Sequence, residues 1–249
     1  MLGISMKFGE QIIEEANKYI ERIPTSIAVG TEKLLKMIKD TDSIEQQRDH
    51  LMSFILATLF GASVKKLVFE ERCSKHKSKG THDLVVYLNN GTRIVNEVTR
   101  NKQTDWDKKE QENYVFNSVR RTGQLYELRE DPKRSTTGFP DTILTKVEAK
   151  RDQLDPNETN IVWLASKGMH YNATHIEDAA YHFAFGWHNL PNDQPGKAHK
   201  KPENLSALGW FWDGDPNSTS AQAQCFIITP SRILENLNSL INVKRLSEM

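Results

Sequence analysis

The stretch that decides the fold is GTHDLVVYLNNGTRIVNEVT, residues 80–99. Two apolar runs, His82 to Leu88 and Arg93 to Thr99, flank the segment Asn-Asn-Gly, and this arrangement is typical of a β-hairpin. A three-residue loop with Gly91 in the left-handed conformation pairs Val85 with Val95. A two-residue loop would shift the register by one position and send one set of side chains to the other face.

The hairpin carries two carboxylates whose relation depends on this register. With the three-residue loop, Asp83 faces Glu97 on one face of the sheet, with their Cβ atoms about 5 Å apart. Opposed carboxylates repel each other and lose hydration if helices cover the sheet, and a divalent cation such as Mg²⁺ compensates for both costs. The alternative is that Asp83 is a solvated residue at a strand start and that Glu97 pairs with a nearby Lys or Arg.

The rest of the chain alternates between helical and strand-like patterns around the hairpin. Before it, apolar spacing predicts helices over residues 8–23, from Thr31 and over 43–60, and then a strand from Lys65 to Arg72. After it we expect a helix over Asp107 to Arg121, a polar linker from Pro132 to Pro140, a strand over 160–165, a helix from Thr174, a loop over 189–224, a strand over Cys225 to Ile228 and a helix over 231–243.

This order predicts an α/β domain with a mixed sheet flanked by helices. We expect residues 1–249 to form a single domain, with a helical N-terminal part over 1–62, a core over 63–166 and a C-terminal part over 167–249. No apolar stretch approaches the roughly 20 residues of a membrane span, and no secretory signal is legible, so the expected location is cytoplasmic.

Charge is balanced, with 33 Lys and Arg against 33 Asp and Glu, so attraction to a polyanion must come from a local patch. The clearest basic patch holds Arg72, Lys75, Lys77 and Lys79 without an acidic residue, and it leads directly into Asp83. We expect these four side chains to contact nucleic-acid phosphates, or else to lie on a solvated loop.

The hairpin with its flanks resembles the core of the PD-(D/E)xK superfamily of restriction-endonuclease-like nucleases. The resemblance rests on Gly80 to Thr99 and extends over roughly Ser43 to Ala165. It implies a nuclease that uses Mg²⁺ or Mn²⁺ to hydrolyse phosphodiester bonds in DNA, in restriction or repair. It also implies that Asp83 and Glu97 are metal ligands, with the Val98 carbonyl as a further ligand.

Two residues depart from the family pattern. His82 stands where Pro is usual, and Thr99 stands where the family has a lysine that positions the attacking water and stabilises charge. A substitute ammonium could come from Lys102, or from Lys108 or Lys109, whereas strand alternation points Arg100 to the other face. On the helix after the hairpin, Gln111 and Tyr114 are similar to the Gln and Tyr of RecB-like members, and with Lys108 they are candidates for contacting nucleic acid.

Two other hypotheses stay open alongside a nuclease. Because of Thr99, the chain could be a PD-(D/E)xK-like module that binds nucleic acid or assembles without catalysis, and a homodimer is one possible assembly. The chain could also be a plain α/β protein without a metal, for which the hairpin would have the two-residue register.

Two further motifs are candidate binding sites. The basic run 196–201 and the aromatics at 210–212 could together track and stack a nucleic-acid strand, and Cys73 with His76 have the spacing of half a zinc site.

Overall fold

The computed structural model describes residues 2–60, 64–73, 80–100, 139–166, 173–185, 199–212, 223–229, 237 and 242–246. Its helices are α1 (Leu2–Ile20), α2 (Thr31–Asp40), α3 (Ile44–Phe60), α4 (Phe139–Ala149) and α5 (Ala173–Phe185). Its strands are β1 (Ala28–Val29), β2 (Lys66–Arg72), β3 (Thr81–Tyr87), β4 (Arg93–Arg100), β5 (Thr159–Ser166), β6 (Leu205–Trp212), β7 (Ala223–Ile227) and β8 (Asn242–Arg245). Among the helices in these ranges, none has the length and apolarity needed to cross a membrane.

The strands form one mixed sheet in which they lie side by side in chain order. The pairs β2–β3, β3–β4 and β6–β7 are antiparallel, whereas β1–β2, β4–β5, β5–β6 and β7–β8 are parallel. The predicted α/β class with a mixed sheet is therefore confirmed.

Helices cover both faces of this sheet, because alternate side chains of each strand point to opposite faces. On one face, α1, α2 and α3 pack over residues such as Leu84 and Trp163. On the other face, α4 and α5 pack over Val162 and Leu164. Glu97 is the register partner of Val162 across the β4–β5 pair, so its side chain belongs to the face that α4 and α5 cover.

The hairpin has the register that the three-residue loop predicts. Val85 pairs with Val95 and Leu84 with Asn96, and Gly91 has a φ of 85°, a conformation that glycine adopts without steric cost. The two-residue register is therefore wrong for this hairpin. Helix starts also agree in part, because α2 begins at Thr31 and the Ser43 hydroxyl accepts a hydrogen bond from the Gln46 N–H at 3.4 Å.

Four sequence predictions are corrected. The linker predicted to reach Pro140 instead contains the start of α4 at Phe139, and the loop predicted over 189–224 contains the strand β6. Trp210 and Phe211 lie in the core on opposite faces of β6, so they are not a stacking surface. Both faces of β6 are buried, and such a strand has no polar and apolar alternation to reveal it.

Asn242 and Val243, expected in a terminal helix, belong to β8. The helix expected over Asp107 to Arg121 lies outside the described residues.

Candidate active site

The two carboxylates of the hairpin lie next to each other where the β3–β4 ladder ends. The last register pair is Leu84 with Asn96. Asp83 and Glu97 are the next residue on each strand, and their side chains share the opposite face of the sheet. At this point the Val98 N–H donates to Asp83 Oδ2 at 2.7 Å instead of to a backbone carbonyl of β3. The carboxylate of Asp83 therefore takes the place of a ladder partner, and its orientation is fixed by the backbone of β4.

A lysine that is distant in sequence joins the pair. Lys150 Nζ lies 3.1 Å from Asp83 Oδ2 and 3.2 Å from Glu97 Oε2. Lys150 directly follows α4, whose buried residues Ile143 and Val147 hold the helix against the sheet. The connection between the parallel strands β4 and β5 has to cross a face of the sheet, and α4 crosses the face that carries Glu97.

Burial and charge set the ionisation of this trio. The Glu97 side chain is fully buried, and burial raises the pKa of Glu97 to about 7, with the hydrogen bond from His82 opposing the rise. Burial opposes the charge on Lys150, but the carboxylates of Asp83 and Glu97 outweigh it and raise the pKa of Lys150. Asp83 is 26% exposed, so solvent reaches the trio from its side.

Glu97 is covered by the end of the β2–β3 ribbon, which bends over the sheet. Glu71 pairs with His82 in the β2–β3 register. His82 is five positions from Tyr87 on β3, so a straight ribbon would place Glu71 roughly 16 Å from Tyr87. The Glu71 carboxylate nevertheless accepts hydrogen bonds from the Tyr87 hydroxyl at 2.9 Å and from Arg93 Nη2 at 2.9 Å. The ribbon therefore curves back at Glu70, which has a φ of 53°, the single positive φ of a non-glycine residue among the described residues.

This bend brings His82 against Glu97. His82 Nδ1 lies 3.0 Å from Glu97 Oε1, and both side chains are buried from solvent. Cys73 Sγ lies 3.6 Å from the same ring nitrogen. The two oxygens of Glu97 thus have different partners, with Oε1 held by the ribbon and Oε2 held by Lys150.

The donor set suits a hard cation such as Mg²⁺. Asp83 and Glu97 supply carboxylate oxygens, and Mg²⁺ typically binds one or two carboxylates while water and substrate phosphates complete its coordination. Within the described ranges, no group of three or more His, Cys, Asp or Glu side chains is placed to hold a metal. A cation here would therefore depend on two carboxylates, as Mg²⁺ does, and the suggested zinc site at Cys73 gains no support from these residues.

Lys150 also compensates the charge of the carboxylate pair. The repulsion between the two carboxylates does not require a metal, because the Lys150 ammonium already lies between them. The alternative in which Glu97 pairs with a nearby lysine is thus met by Lys150, whereas Asp83 is not a freely solvated residue. The carboxylate pair is compatible with a metal but does not by itself demand one.

The predicted site residues are only partly brought together. Thr99 is two residues beyond Glu97 on β4 and lies on the same face of the sheet. Val98 donates its N–H to Asp83, and the role of the Val98 carbonyl as a metal ligand stays a prediction. Arg100 points to the other face, as expected, and its guanidinium contacts Asp49 of α3 at 3.0 Å. Arg72 is exposed at the end of β2. The remaining predicted residues lie outside the described ranges: Lys75, Lys77, Lys79, Lys102, Lys108, Lys109, Gln111 and Tyr114.

The sequence interpretation missed Lys150 and the role of His82. A signal for Lys150 existed, since Ile143, Leu144 and Val147 have the spacing of one helix face and Pro140 suits a first helical turn. A helix there has to cross the sheet, and Lys150 then comes at its end near the hairpin. The contact of His82 depends on the ribbon bend at Glu70, which no local pattern indicates.

Comparison with protein-family models, with curated proteins and with solved structures gives no significant match.

Proposed function

We propose that this chain is a Mg²⁺-dependent nuclease of the PD-(D/E)xK type, acting on phosphodiester bonds of DNA in restriction or repair. The observation that carries the proposal is the convergence of Asp83, Glu97 and Lys150 within 3.2 Å contacts at a position that solvent reaches. Two carboxylates and one lysine are the three groups that the resemblance requires. Here the lysine comes from the end of α4 instead of from the strand position that Thr99 occupies.

Each group has a role that fits its surroundings. Asp83 and Glu97 would hold the cation, which when bound lowers the pKa of a water and stabilises charge on the phosphodiester. The Lys150 ammonium would orient the attacking water and stabilise the developing negative charge, an electrostatic effect that the Thr99 hydroxyl cannot supply. Because the raised pKa of Lys150 keeps it charged at neutral pH, it is suited to this role.

Substrate would approach beside the bent ribbon. The Cys73 N–H donates to the Gly80 carbonyl at 3.2 Å, so Cys73 and Gly80, which flank positions 74–79, lie side by side at the ribbon tip. The same ribbon covers Glu97. The sequence between Cys73 and Gly80 carries Lys75, Lys77 and Lys79, a composition that favours a polyanionic substrate over a neutral one.

A second candidate is a binding module of the same fold that has lost catalysis. The observation that favours it is the bridge from Lys150 to both carboxylates, which makes a charge-compensated cluster without a metal. Both candidates require nucleic-acid binding, and they differ in whether metal-dependent cleavage occurs.

The deciding experiment is a cleavage assay with Mg²⁺ or Mn²⁺ on single-stranded, double-stranded and branched DNA and on RNA. We expect Glu97→Ala to abolish cleavage and Lys150→Met to lower the rate about 100- to 1000-fold, the usual cost of losing a group that stabilises transition-state charge. Lys146→Met is the matched control, since Lys146 lies one helical turn earlier and donates to the Arg100 carbonyl at 2.8 Å. It should lower the rate by less than about threefold, because it removes no ammonium from the trio.

The other outcomes separate the candidates. A sharp loss in Lys102→Met with a normal Lys150→Met would return the lysine role to the strand end, as the sequence first indicated. A wild type that is inert on every substrate, with activity gained in Thr99→Lys, would favour the binding module. Cleavage that persists in Glu97→Ala would contradict both candidates.

A further inference from the structure

His82 contacts Glu97 in a way that packing alone does not explain. Its side chain is 1% exposed and that of Glu97 is fully buried, so neither can be oriented by bulk water. The ring meets the carboxylate through Nδ1 at 3.0 Å. The other ring nitrogen, Nε2, is buried and has no hydrogen-bond partner among the described residues. Among the described residues, His82 therefore makes its polar contacts through Nδ1 alone.

The contact is directed at the oxygen of Glu97 that does not face the trio. His82 binds Oε1, whereas Oε2 contacts Lys150, which in turn contacts Asp83. A carboxylate that binds a cation is ionised, and its oxygens then only accept hydrogen bonds, so in that state the ring donates from Nδ1 to Oε1. A carboxylate fixed through one oxygen cannot rotate freely, and its second oxygen keeps a constant direction.

A nucleophilic triad of Cys73, His82 and Glu97 does not fit this geometry. In such a triad the histidine uses one ring nitrogen for the nucleophile and the other for the carboxylate. Here Cys73 Sγ and Glu97 Oε1 both lie against Nδ1, at 3.6 and 3.0 Å. Burial and the Glu97 carboxylate also raise the pKa of the Cys73 thiol, which opposes formation of a reactive thiolate.

We propose that His82 is a positioning residue for the proposed metal ligand Glu97, acting through the hydrogen bond from Nδ1 to Oε1 so that Oε2 faces Asp83 and Lys150. The inference rests on the proposed function, since it assigns His82 to the same site. It explains why the residue before Asp83 is a buried histidine. Hydrogen-bond partners of metal ligands typically affect metal affinity 10- to 100-fold.

The test compares two amide substitutions that place an N–H at different points of the ring. In His82→Asn the amide nitrogen stands near the position of Nδ1, whereas in His82→Gln it stands near the position of Nε2. We expect Mn²⁺ affinity, measured by titration calorimetry on the full chain without DNA, to stay within about threefold of wild type in His82→Asn. It should fall about 10- to 100-fold in His82→Gln and in His82→Leu.

Urea unfolding of each variant shows which proteins are folded, and the Asn and Gln pair keeps the test decisive if His82→Leu does not fold. Equal Mn²⁺ affinity in wild type, His82→Gln and His82→Leu would overturn the positioning role and leave the metal site intact. An Asn variant as weak as the Gln variant would also overturn it. A wild type that binds no Mn²⁺ would overturn the proposed function together with this inference, so the two failures are distinguishable.

Discussion

At the scale of single residues, Glu97 combines three properties that act on its ionisation. It is fully buried, it lies beside a second carboxylate, and its two oxygens are held by side chains from different parts of the chain. Burial favours the neutral form of a carboxyl group, while His82 and Lys150 favour the ionised form. The balance leaves Glu97 sensitive to pH near neutrality.

This balance predicts how stability depends on pH. Burial raises the pKa of Glu97 from 4.5 to about 7, so the native protein holds a proton that the unfolded chain releases between these values. Stability is therefore expected to fall as pH rises through this window, by about 2 to 3 kcal/mol between pH 5 and pH 8. Glu97→Gln removes the titrating group, so urea unfolding with a metal chelator present should show a smaller decline in that variant.

Glu10→Gln is the control for this measurement, because Glu10 is an exposed carboxylate on α1. It should retain the wild-type dependence on pH. If the wild type and Glu97→Gln lose stability in parallel, Glu97 is ionised in the native protein well below neutral pH.

At the scale of elements, local patterns determine the register of the hairpin but not where the helix that completes the site lies on the sheet. The Asn-Asn-Gly turn sets the register, and the register places Asp83 beside Glu97. The sequence predicts this placement because the turn and the two strands are adjacent in the chain. Lys150 lies more than fifty positions from Glu97, and its contact depends on where α4 crosses the sheet. Spacing within one element cannot supply that information, which is why Lys102 and its neighbours were the sequence candidates.

The bend of the β2–β3 ribbon is the other feature that no local pattern predicted. Glu70 stands between the pairs Phe69 with Leu84 and Glu71 with His82, and its left-handed φ of 53° lets the ribbon fold over Glu97. Lys33 Nζ donates to the Glu70 carbonyl at 3.3 Å, and the Thr81 hydroxyl donates to its carboxylate. A glutamate in this conformation has a cost of roughly 1 to 2 kcal/mol, which these contacts help to offset.

We therefore predict different effects for two substitutions of Glu70. Both Glu70→Gly and Glu70→Val lose the bond from Thr81, but glycine accepts a positive φ and a β-branched residue does not. Urea unfolding should find Glu70→Val less stable than Glu70→Gly by about 1 to 3 kcal/mol. The order should reverse at Glu71, where φ is not positive and a strand favours valine over glycine. Glycine and valine variants of equal stability at position 70 would mean that the ribbon is not bent there.

At the scale of the whole molecule, one sheet in chain order separates two layers of helices, and the candidate active site belongs to only one of them. The trio lies on the face of α4 and α5, while α1, α2 and α3 cover the other face. The chain has no net charge, so its surface does not attract DNA uniformly. Under the proposed function, binding to DNA would therefore require a local basic segment.

Under the proposed function, we predict that residues 74–79, which follow Cys73 of the ribbon tip, supply the electrostatic part of DNA binding. Each lysine that contacts a phosphate releases counterions, so replacing Lys75, Lys77 and Lys79 by Gln should reduce the slope of log K against log salt by about two to three. Affinity should fall to a similar extent for unrelated DNA sequences, because phosphate contacts carry no base information. Fluorescence anisotropy with labelled duplexes at several salt concentrations measures both quantities.

A matched control keeps net charge from deciding the result. Replacing Lys36, Lys39 and Lys65 by Gln removes the same charge at positions away from the trio. Lys36 and Lys39 are exposed on α2, which covers the other face of the sheet. Lys65 is exposed just before β2, at the end of that strand distant from Asp83. If the salt slope depends on position, only the ribbon-tip variant should lower it. Equal slopes in the two triple variants would assign DNA attraction to overall charge, and an unchanged slope at the ribbon tip would make residues 74–79 a solvated loop without a role in binding.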